Sequence, residues 1–492
     1  MATALSRAGR LTRVARAAAR SLGRRRVPVR RLLLPTVAVV LLAAMVRIAY
    51  VADATPTLYT WQQHGVRMAL HYTEAATGIL AGDGLLYPRV WPDPSETRLV
   101  ARPPGYPAFV AAVHRTLGSN YADVLMAQAL LTALLPAVML VLVTRAAGSR
   151  AGIAAGALTA LSPPLGYHAS IVTPDALTAL LAVLAVLFVG GARCARGRAG
   201  AAWLAAAGAT VGLATWLRPN FLLLAPVLAL AVPVLLPKRR NRWWSATGMV
   251  AVACALVAPI TIRNARIYGE LVPVSANGGI VLWEGIADAG GRSFGARSLD
   301  LEVAAEEAVY FGDPRYARSW ATPDGIRRDR ERVRRSLEVI RAHPVWWTAS
   351  VVRRAGDVLA SGREAPLVRP RPPELAEDSN VVGHPAVRVD AALGSARPAV
   401  RMLQRITAWP AEVLAAAGLA FLVLVAPRRA LLLVLVPAYL VLAQSPMHFE
   451  ARFALPKDAF TPGLAAIGLF ALLGAATRRP AAPQGRQRPL KR

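Results

Sequence analysis

Runs of apolar residues long enough to cross a lipid bilayer dominate this chain and leave few architectures open to it. The hydrocarbon core is about 30 Å thick, so a spanning helix needs about 20 mainly apolar residues. Runs that reach or approach that length lie at 32–51, 121–144, 151–171, 174–190, 201–217, 219–236, 245–262, 409–426, 430–444 and 459–475. Backbone groups in hydrocarbon must find partners within their own segment, so these runs predict helices. The fold class expected is an all-α integral membrane protein, a polytopic helical bundle of about 10–12 spans.

Composition agrees. Of 492 residues, 55% are hydrophobic and 17% charged, against about 25% charged in soluble domains, and the mean hydropathy is +0.40. These values exclude a disordered tail protein and disfavour an ordinary soluble enzyme. Lys+Arg is 58 and Asp+Glu is 28, a net charge of +30, which raises the question of nucleic-acid binding. The basic residues, however, form short clusters between apolar runs. Apart from Lys238, Lys457 and Lys491 they are all Arg, in a chain rich in Ala, Gly, Pro and Val, and the pattern looks like coding bias. Cys194 and Cys254 form no disulfide framework and no metal-type spacing. The apolar stretch after the basic N-terminus is long for a signal peptide and is expected to be a retained first span.

Lys and Arg in short loops set orientation. Residues 1–31 hold ten Arg and no acid, so this basic tail is expected in the cytoplasm. Counting crossings from there puts Arg145–Arg150, Arg193–Arg198, Lys238–Arg242, Arg428–Arg429 and the basic tail 476–492 on the same side. The expected organisation is a membrane module over 32–262 with an outer loop at 52–102, an extracytoplasmic region over 263–408, and the last spans over 409–475. The location implied is the inner membrane of a bacterial cell, with both termini inside. Residues 103–118 are apolar but short and contain His114 and Arg115, so a re-entrant or in-plane outer helix is expected. Residues 343–361 read as an amphipathic helix with a Trp pair suited to the interface.

The expected outer face collects polar groups of particular types. Arg102 opens RPPGYP, with Tyr106 inside it. Asp175 begins a span in SIVTPDALTALL. Arg218 and Asn220 share the turn WLRPNF. Arg263 and Asn264 end a span, Asn277-Gly278-Gly279 and Trp283 follow, and Glu450 and Arg452 lie in MHFEARFALP. Arg at an outer boundary opposes the positive-inside trend and asks for a partner. A guanidinium fork suits a lipid phosphate, although snorkelling to headgroups or pairing with an acid accounts equally well for any one Arg. Asp175 could N-cap its helix, the Asn-Gly-Gly could be a turn, and Tyr106 and Trp283 could anchor at the interface. In 61–82, His71, Tyr72 and Glu74 fall within one helical turn, and the Glu74 carboxylate could serve as general base. His64 and His71 share a face without further ligands. No cofactor is assigned, and a divalent metal remains compatible.

The order of these motifs resembles the GT-C superfamily of integral-membrane glycosyltransferases. It is similar in particular to the bacterial branch related to protein O-mannosyltransferases and lipid A aminoarabinose transferase, glycosyltransferase family 39. The stretches that carry the resemblance are YTEAATGILAGDGLLYP, RPPGYPAFVAAVHRTLG, GLATWLRPNFLLLAP, APITIRNARIYGELVPVSANGGIVLWEG and FEARFALP. The resemblance implies a polyprenyl-phosphate sugar donor, inverting transfer at the outer leaflet to an envelope glycan, lipid or protein, and a carboxylate base in the first outer loop. It makes Arg218 and Arg452 candidates for the donor phosphate and matches Asp175 to a second acidic position. One departure stands out. Relatives carry an acid one turn before the tyrosine that matches Tyr72, and here Met68 stands there, leaving Glu74, Asp83 or Asp53 as substitutes.

Three function classes follow. The first is a lipid-linked-sugar glycosyltransferase with Glu74 and Asp175 catalytic and Tyr72, Arg102, Tyr106, Arg218, Asn220, Arg263, Asn277, Trp283 and Arg452 binding substrate. The second is a catalytically impaired lipid-binding or assembly subunit on the same scaffold. The third, a transporter, expects ionisable residues at mid-span and inverted repeats, neither of which the pattern supplies.

Overall fold

The structure is a computed structural model that describes residues 30–64, 67–87, 96–195, 197–237, 241–363, 365–369, 385–394 and 396–476. Most of the two basic tails, the Pro-rich stretch after Arg369 and the side chains of His64 and Met68 lie outside the described residues.

The described residues are helical almost throughout, as expected. The first membrane module comprises α1 (Arg30–His64), α2 (Arg67–Ala81), α3 (Gly105–Thr116), α4 (Tyr121–Thr132), α5 (Leu135–Ala147), α6 (Ser149–Leu161), α7 (Pro163–Ala169), α8 (Asp175–Ala192), α9 (Gly197–Leu217), α10 (Leu224–Leu235) and α11 (Arg242–Tyr268). A second group, α12 (Gly278–Asp288), α13 (Asp300–Phe311), α14 (Gly325–Ala342), α15 (Pro344–Ala360) and α16 (Pro385–Ala392), makes up the region between the spans. The chain closes with α17 (Ala396–Val425), α18 (Pro427–Gln444), α19 (Leu455–Asp458) and α20 (Thr461–Ala476). Extended pairing among the described residues is limited to one antiparallel bridge, Leu86 to Arg98.

Among the described residues seven helical stretches are long and apolar enough to cross a membrane, and the bent pair 451–458 with 461–475 makes an eighth if it is one span. The other two expected runs break into short pieces. The run 151–171 divides at Ser162, where Pro163 and Pro164 follow, because proline cannot continue the hydrogen-bond ladder of α6. The run 219–236 starts with a 3₁₀ turn and leaves only the 12 residues of α10, about 18 Å of rise. α3 also has 12 residues, too short to span, in keeping with the expectation for 103–118.

Side chains such as Leu34, Leu41, Leu230, Val413, Leu424 and Leu442 are exposed on the bundle, as a lipid-facing surface requires, and so are Trp243 and Trp244. Close helix contact comes from small residues. A Cβ on Gly418 of α17 would lie 2.1 Å from the Leu464 carbonyl oxygen, and one on Gly468 of α20 would lie 2.0 Å from that of Leu414. Such small-residue contacts replace the hydrophobic drive that lipid removes. Charge is also buried inside the bundle. Arg47 of α1 is fully buried, and its Nε donates to Thr132 Oγ1 at 3.1 Å.

The region between the spans packs around Ile280, Trp283, Ile286, Val303, Trp320 and Trp347, a core that Ala75, Leu85 and Leu99 of the first module share. Glu307 is buried between two guanidiniums, with Arg328 Nη2 at 2.6 Å and Arg332 Nε at 2.6 Å. Arg328 also donates to the Thr322 carbonyl and Arg332 to that of Trp320, so one carboxylate ties α13 and α14 to the loop between them. The Trp pair of 343–361 differs from the interfacial expectation. Trp347 is buried in this core beneath the Arg354 guanidinium, 4.9 Å from the ring centre.

Candidate functional site

The Asn-Gly-Gly stretch positions α12. A Cβ on Gly279 would meet the Asp329 carbonyl oxygen at 2.0 Å, so glycine lets α12 lie against α14. The Asp329 carboxylate accepts from Gly279 N–H (2.9 Å) and Ile280 N–H (3.1 Å), satisfying the open amides of the α12 N-terminus. More than a turn, the motif is a packing and capping device.

With α12 fixed, residues from three distant segments converge on a cavity of about 260 Å³. His71 of α2 and Arg102 enter from the first module. Asn277, Glu284 of α12, Asp300 of α13, Arg318 and Trp320 come from the region between the spans. His448, Glu450, Arg452 and Phe453 come from the turn before α19. Arg102 lies 5.9 Å from the Trp320 ring centre. Arg452 Nε lies 2.6 Å from Glu450 Oε2. His448 Nδ1 lies 2.6 Å from Asp288 Oδ2, and the backbone N–H of His448 donates to the Val281 carbonyl at 2.7 Å. The hydrogen bond to Asp288 raises the His448 pKa above its ordinary value. Burial, then the neighbouring Asp300 carboxylate, pushes Glu284 up to about 9.

Phe453 joins this cavity to a second cluster. Its ring centre lies 5.0 Å from the Arg452 guanidinium and 4.8 Å from that of Arg218. Arg218 Nη2 is 2.6 Å from Asp175 Oδ1. Asp175 therefore gives its carboxylate to Arg218 and does not N-cap α8, where the cap position is Pro174. Tyr72 and Tyr106 pack edge to face nearby, with ring centres 4.8 Å apart, and Tyr106 donates to Gln128 Oε1 at 2.9 Å. Gln128 in turn donates to the Ala169 and Ile171 carbonyls, so the tyrosine pair is locked to the loop that carries Asp175.

The structure thus brings Arg102, Asn277 and Arg452 onto one cavity wall and sets Asp175, Arg218, Tyr72 and Tyr106 behind Phe453. Other expected residues lie elsewhere. Glu74 is half-buried on α2 and is not part of the cavity wall. Arg263 donates to the Leu99 carbonyl (3.2 Å) and to Asn264 Oδ1 (2.8 Å), bracing the 85–99 pairing. The Asn220 carbonyl accepts from Tyr439 at 2.5 Å. Asp53 pairs with Arg397 at 2.5 Å. Tyr106 and Trp283 are 0% and 1% exposed, which rules out interface anchoring; Trp283 packs instead under Arg335, 4.4 Å from the ring centre. Glu284, Asp300, Arg318 and His448 are cavity residues that no sequence signal singled out, although His448 lies within the stretch quoted for Glu450 and Arg452.

A larger, more open groove of about 600 Å³ lies over α13 and α14, but its charges pair with one another, as in Arg330–Glu270 at 2.8 Å. Among the described residues no group of three or more His, Cys, Asp or Glu is arranged to hold a metal ion.

Residues 101–263, a third of the chain, match the family described as dolichyl-phosphate-mannose-protein mannosyltransferase. The match covers Arg102, Tyr106, Asp175, Arg218, Asn220 and Arg263 and agrees with the resemblance read from the motifs. No curated protein matches the chain. Among solved structures, the apo oligosaccharyltransferase of Archaeoglobus fulgidus is similar at 15% identity and TM-score 0.49, over 90% of this chain and 51% of that one. Oligosaccharyltransferase AglB of the same organism, in complex with an inhibitory peptide and a dolichol-phosphate, is similar at 14% identity and TM-score 0.48, over 91% and 52%. ArnT of Cupriavidus metallidurans bound to undecaprenyl phosphate is similar at 17% identity and TM-score 0.36, over 89% and 78%. The chain spans about half the length of the oligosaccharyltransferase chains it matches.

Proposed function

We propose that this chain is a membrane glycosyltransferase that moves a sugar from a polyprenyl-phosphate donor to a cell-envelope acceptor at the outer leaflet. The observation that carries this reading is the pair of guanidiniums, Arg218 and Arg452, that both lie within 5.0 Å of the Phe453 ring centre, with Arg102 and Arg318 on the adjoining cavity wall. Arg218 and Arg452 each already hold a carboxylate, Asp175 and Glu450. A phosphate monoester or diester exchanges one anion for another at these forks, which suits bidentate guanidinium geometry. When the bond from the anomeric carbon to the phosphate oxygen breaks, negative charge grows on the leaving phosphate, and fixed cations in a walled site stabilise it. Asn277 and the cavity carboxyls supply the mixed donors and acceptors that a sugar ring needs. No nucleotide is required, in keeping with a sequence without a Gly-rich phosphate loop.

The test is thermal stabilisation of the detergent-purified protein by undecaprenyl monophosphate. Saturable stabilisation is expected in the wild type, and Arg452→Ala should weaken it by about tenfold or more, a loss of about 1.4 kcal/mol. Arg218→Ala should weaken it as well. Well-folded protein that gains no stability from the lipid phosphate would overturn the reading. Met68 in place of the usual acid favours a second reading, a lipid-binding assembly subunit. That reading predicts the same binding without turnover of any lipid-linked sugar.

A further inference from the structure

We propose that His448, held by Asp288, is the general base that activates the acceptor hydroxyl, in place of a first-loop carboxylate. This rests on the sugar-transfer reading above. It answers the question that reading leaves open, because neither Glu74 nor Asp175 lines the cavity.

The geometry is that of an oriented imidazole. His448 Nδ1 is 2.6 Å from Asp288 Oδ2. A carboxylate at that distance accepts a hydrogen bond from Nδ1–H, which selects the tautomer that carries its lone pair on Nε2. Nε2 lies 4.0 Å from Oε1 of Glu450, which lines the cavity together with His448. The ring is fixed from both ends. The His448 backbone N–H bonds to the Val281 carbonyl, and Val281 and Asp288 lie seven residues apart on α12, two turns on one face. From the other side, Arg354 of α15 donates to the Met447 carbonyl at 3.0 Å and to that of Gly285 at 2.7 Å. His448 and Arg452 are four residues apart and share the cavity, so one turn of chain carries both the group that would take the acceptor proton and a guanidinium that would meet the leaving phosphate.

The step balances without a further reactant. The acceptor oxygen forms a bond to the anomeric carbon as its proton passes to His448 Nε2. The bond from that carbon to the phosphate oxygen breaks, its electron pair leaves with polyprenyl phosphate, and configuration inverts. The imidazolium that forms is stabilised by Asp288, which is a positioning residue and stays ionised.

The charged groups facing His448 are Asp288 and Glu284 of α12, Asp300 of α13, Arg354 of α15, Arg102 and Arg318, His71 of α2, and Glu450 and Arg452 of its own turn. Asp288 makes the largest contribution and raises the pKa. The base form therefore fills at a higher pH than in a free histidine, and turnover should climb through that raised value.

The experiment uses the full chain in detergent. Release of undecaprenyl monophosphate from a panel of synthetic undecaprenyl-phosphate hexoses and pentoses is followed with an envelope extract as acceptor. In parallel, modification of His448 by diethyl pyrocarbonate is mapped by mass spectrometry against pH. His448→Gln should lower turnover by about 10²–10⁴-fold while undecaprenyl monophosphate still stabilises the protein. Asp288→Asn should lower turnover and shift both the rising limb and the modification midpoint to lower pH. Turnover that survives His448→Gln overturns the assignment and leaves the glycosyltransferase reading intact, as does a midpoint that Asp288→Asn does not move. Lipid binding without turnover of any donor overturns the assignment in favour of the assembly subunit. Failure of the wild type to bind the lipid phosphate overturns the function itself.

Discussion

At the scale of single residues, the cavity keeps some charges and suppresses others. Glu284 is 7% exposed and shares a hydrogen bond with Asp300, so burial and a like-charged neighbour push its carboxyl up to about 9. It stays neutral near pH 7 and can donate as well as accept. The sign of the linkage follows. The folded pKa lies above the ordinary 4.5, so this group's stabilising contribution is complete below that value and is lost as pH rises toward 9. The melting temperature of the wild type should therefore fall between those limits, and Glu284→Gln should flatten the fall. Parallel pH profiles for the two proteins would contradict the shift. Glu284 was invisible in the sequence because an isolated acid in a loop region has no periodicity to mark it, and only the packing of α12 against α13 and α14 buries it. Arg218 and Asp175 were legible for the opposite reason, since a charge beside a long apolar run announces a partner. Which partner it chooses is a matter of tertiary contact, and the carboxylate went to the guanidinium and not to the helix cap.

At the scale of elements, two neighbouring glycines separate backbone chemistry from packing. A Cβ on Gly278 would have nothing within 4 Å, whereas one on Gly279 would strike the Asp329 backbone at 2.0 Å. Gly279→Ala should push α12 off α14, break the Asp329 bonds to the α12 amides and destabilise the protein by about 1–3 kcal/mol. Gly278→Ala should stay within about 0.5 kcal/mol. Thermal unfolding of the two variants in one detergent checks this, and equal midpoints would refute the packing role. Helix existence in the membrane was plain from hydropathy, but helix length was not. α1 runs on to His64, α11 to Tyr268, and α17 begins at Ala396, well before its apolar part. These polar extensions give no hydropathy signal, because intrahelical hydrogen bonds continue wherever no breaker intervenes. The break at Ser162 had a readable cause in Pro163 and Pro164, which composition averaged over a whole run conceals.

At the scale of the whole molecule, three segments that the span count assigns to one face do meet in one cavity: Arg102 from the first module, Asn277 to Trp320 between the spans, and His448 to Phe453 before the last helix. Which side of the membrane that face occupies rests on Arg clusters, and the two cysteines offer a direct check. Cys194 is exposed in the short connection after α8, beside Arg193. Cys254 lies midway along α11, facing an apolar cleft of about 330 Å³ between α9, α10 and α11. If positive clusters stay inside, a membrane-impermeant maleimide should label Cys194 in inside-out vesicles and not in spheroplasts. Cys254, which shares that cleft with Val211, Ala253 and Val257, should react only with a membrane-permeant reagent, since a charged probe does not enter apolar surroundings. Cys194→Ser identifies each product. Labelling of Cys194 from spheroplasts would leave two arrangements: a divided run 151–171 that does not cross, or an inverted bundle that carries the arginine cavity to the cytoplasmic leaflet and requires a donor and an acceptor that meet there instead.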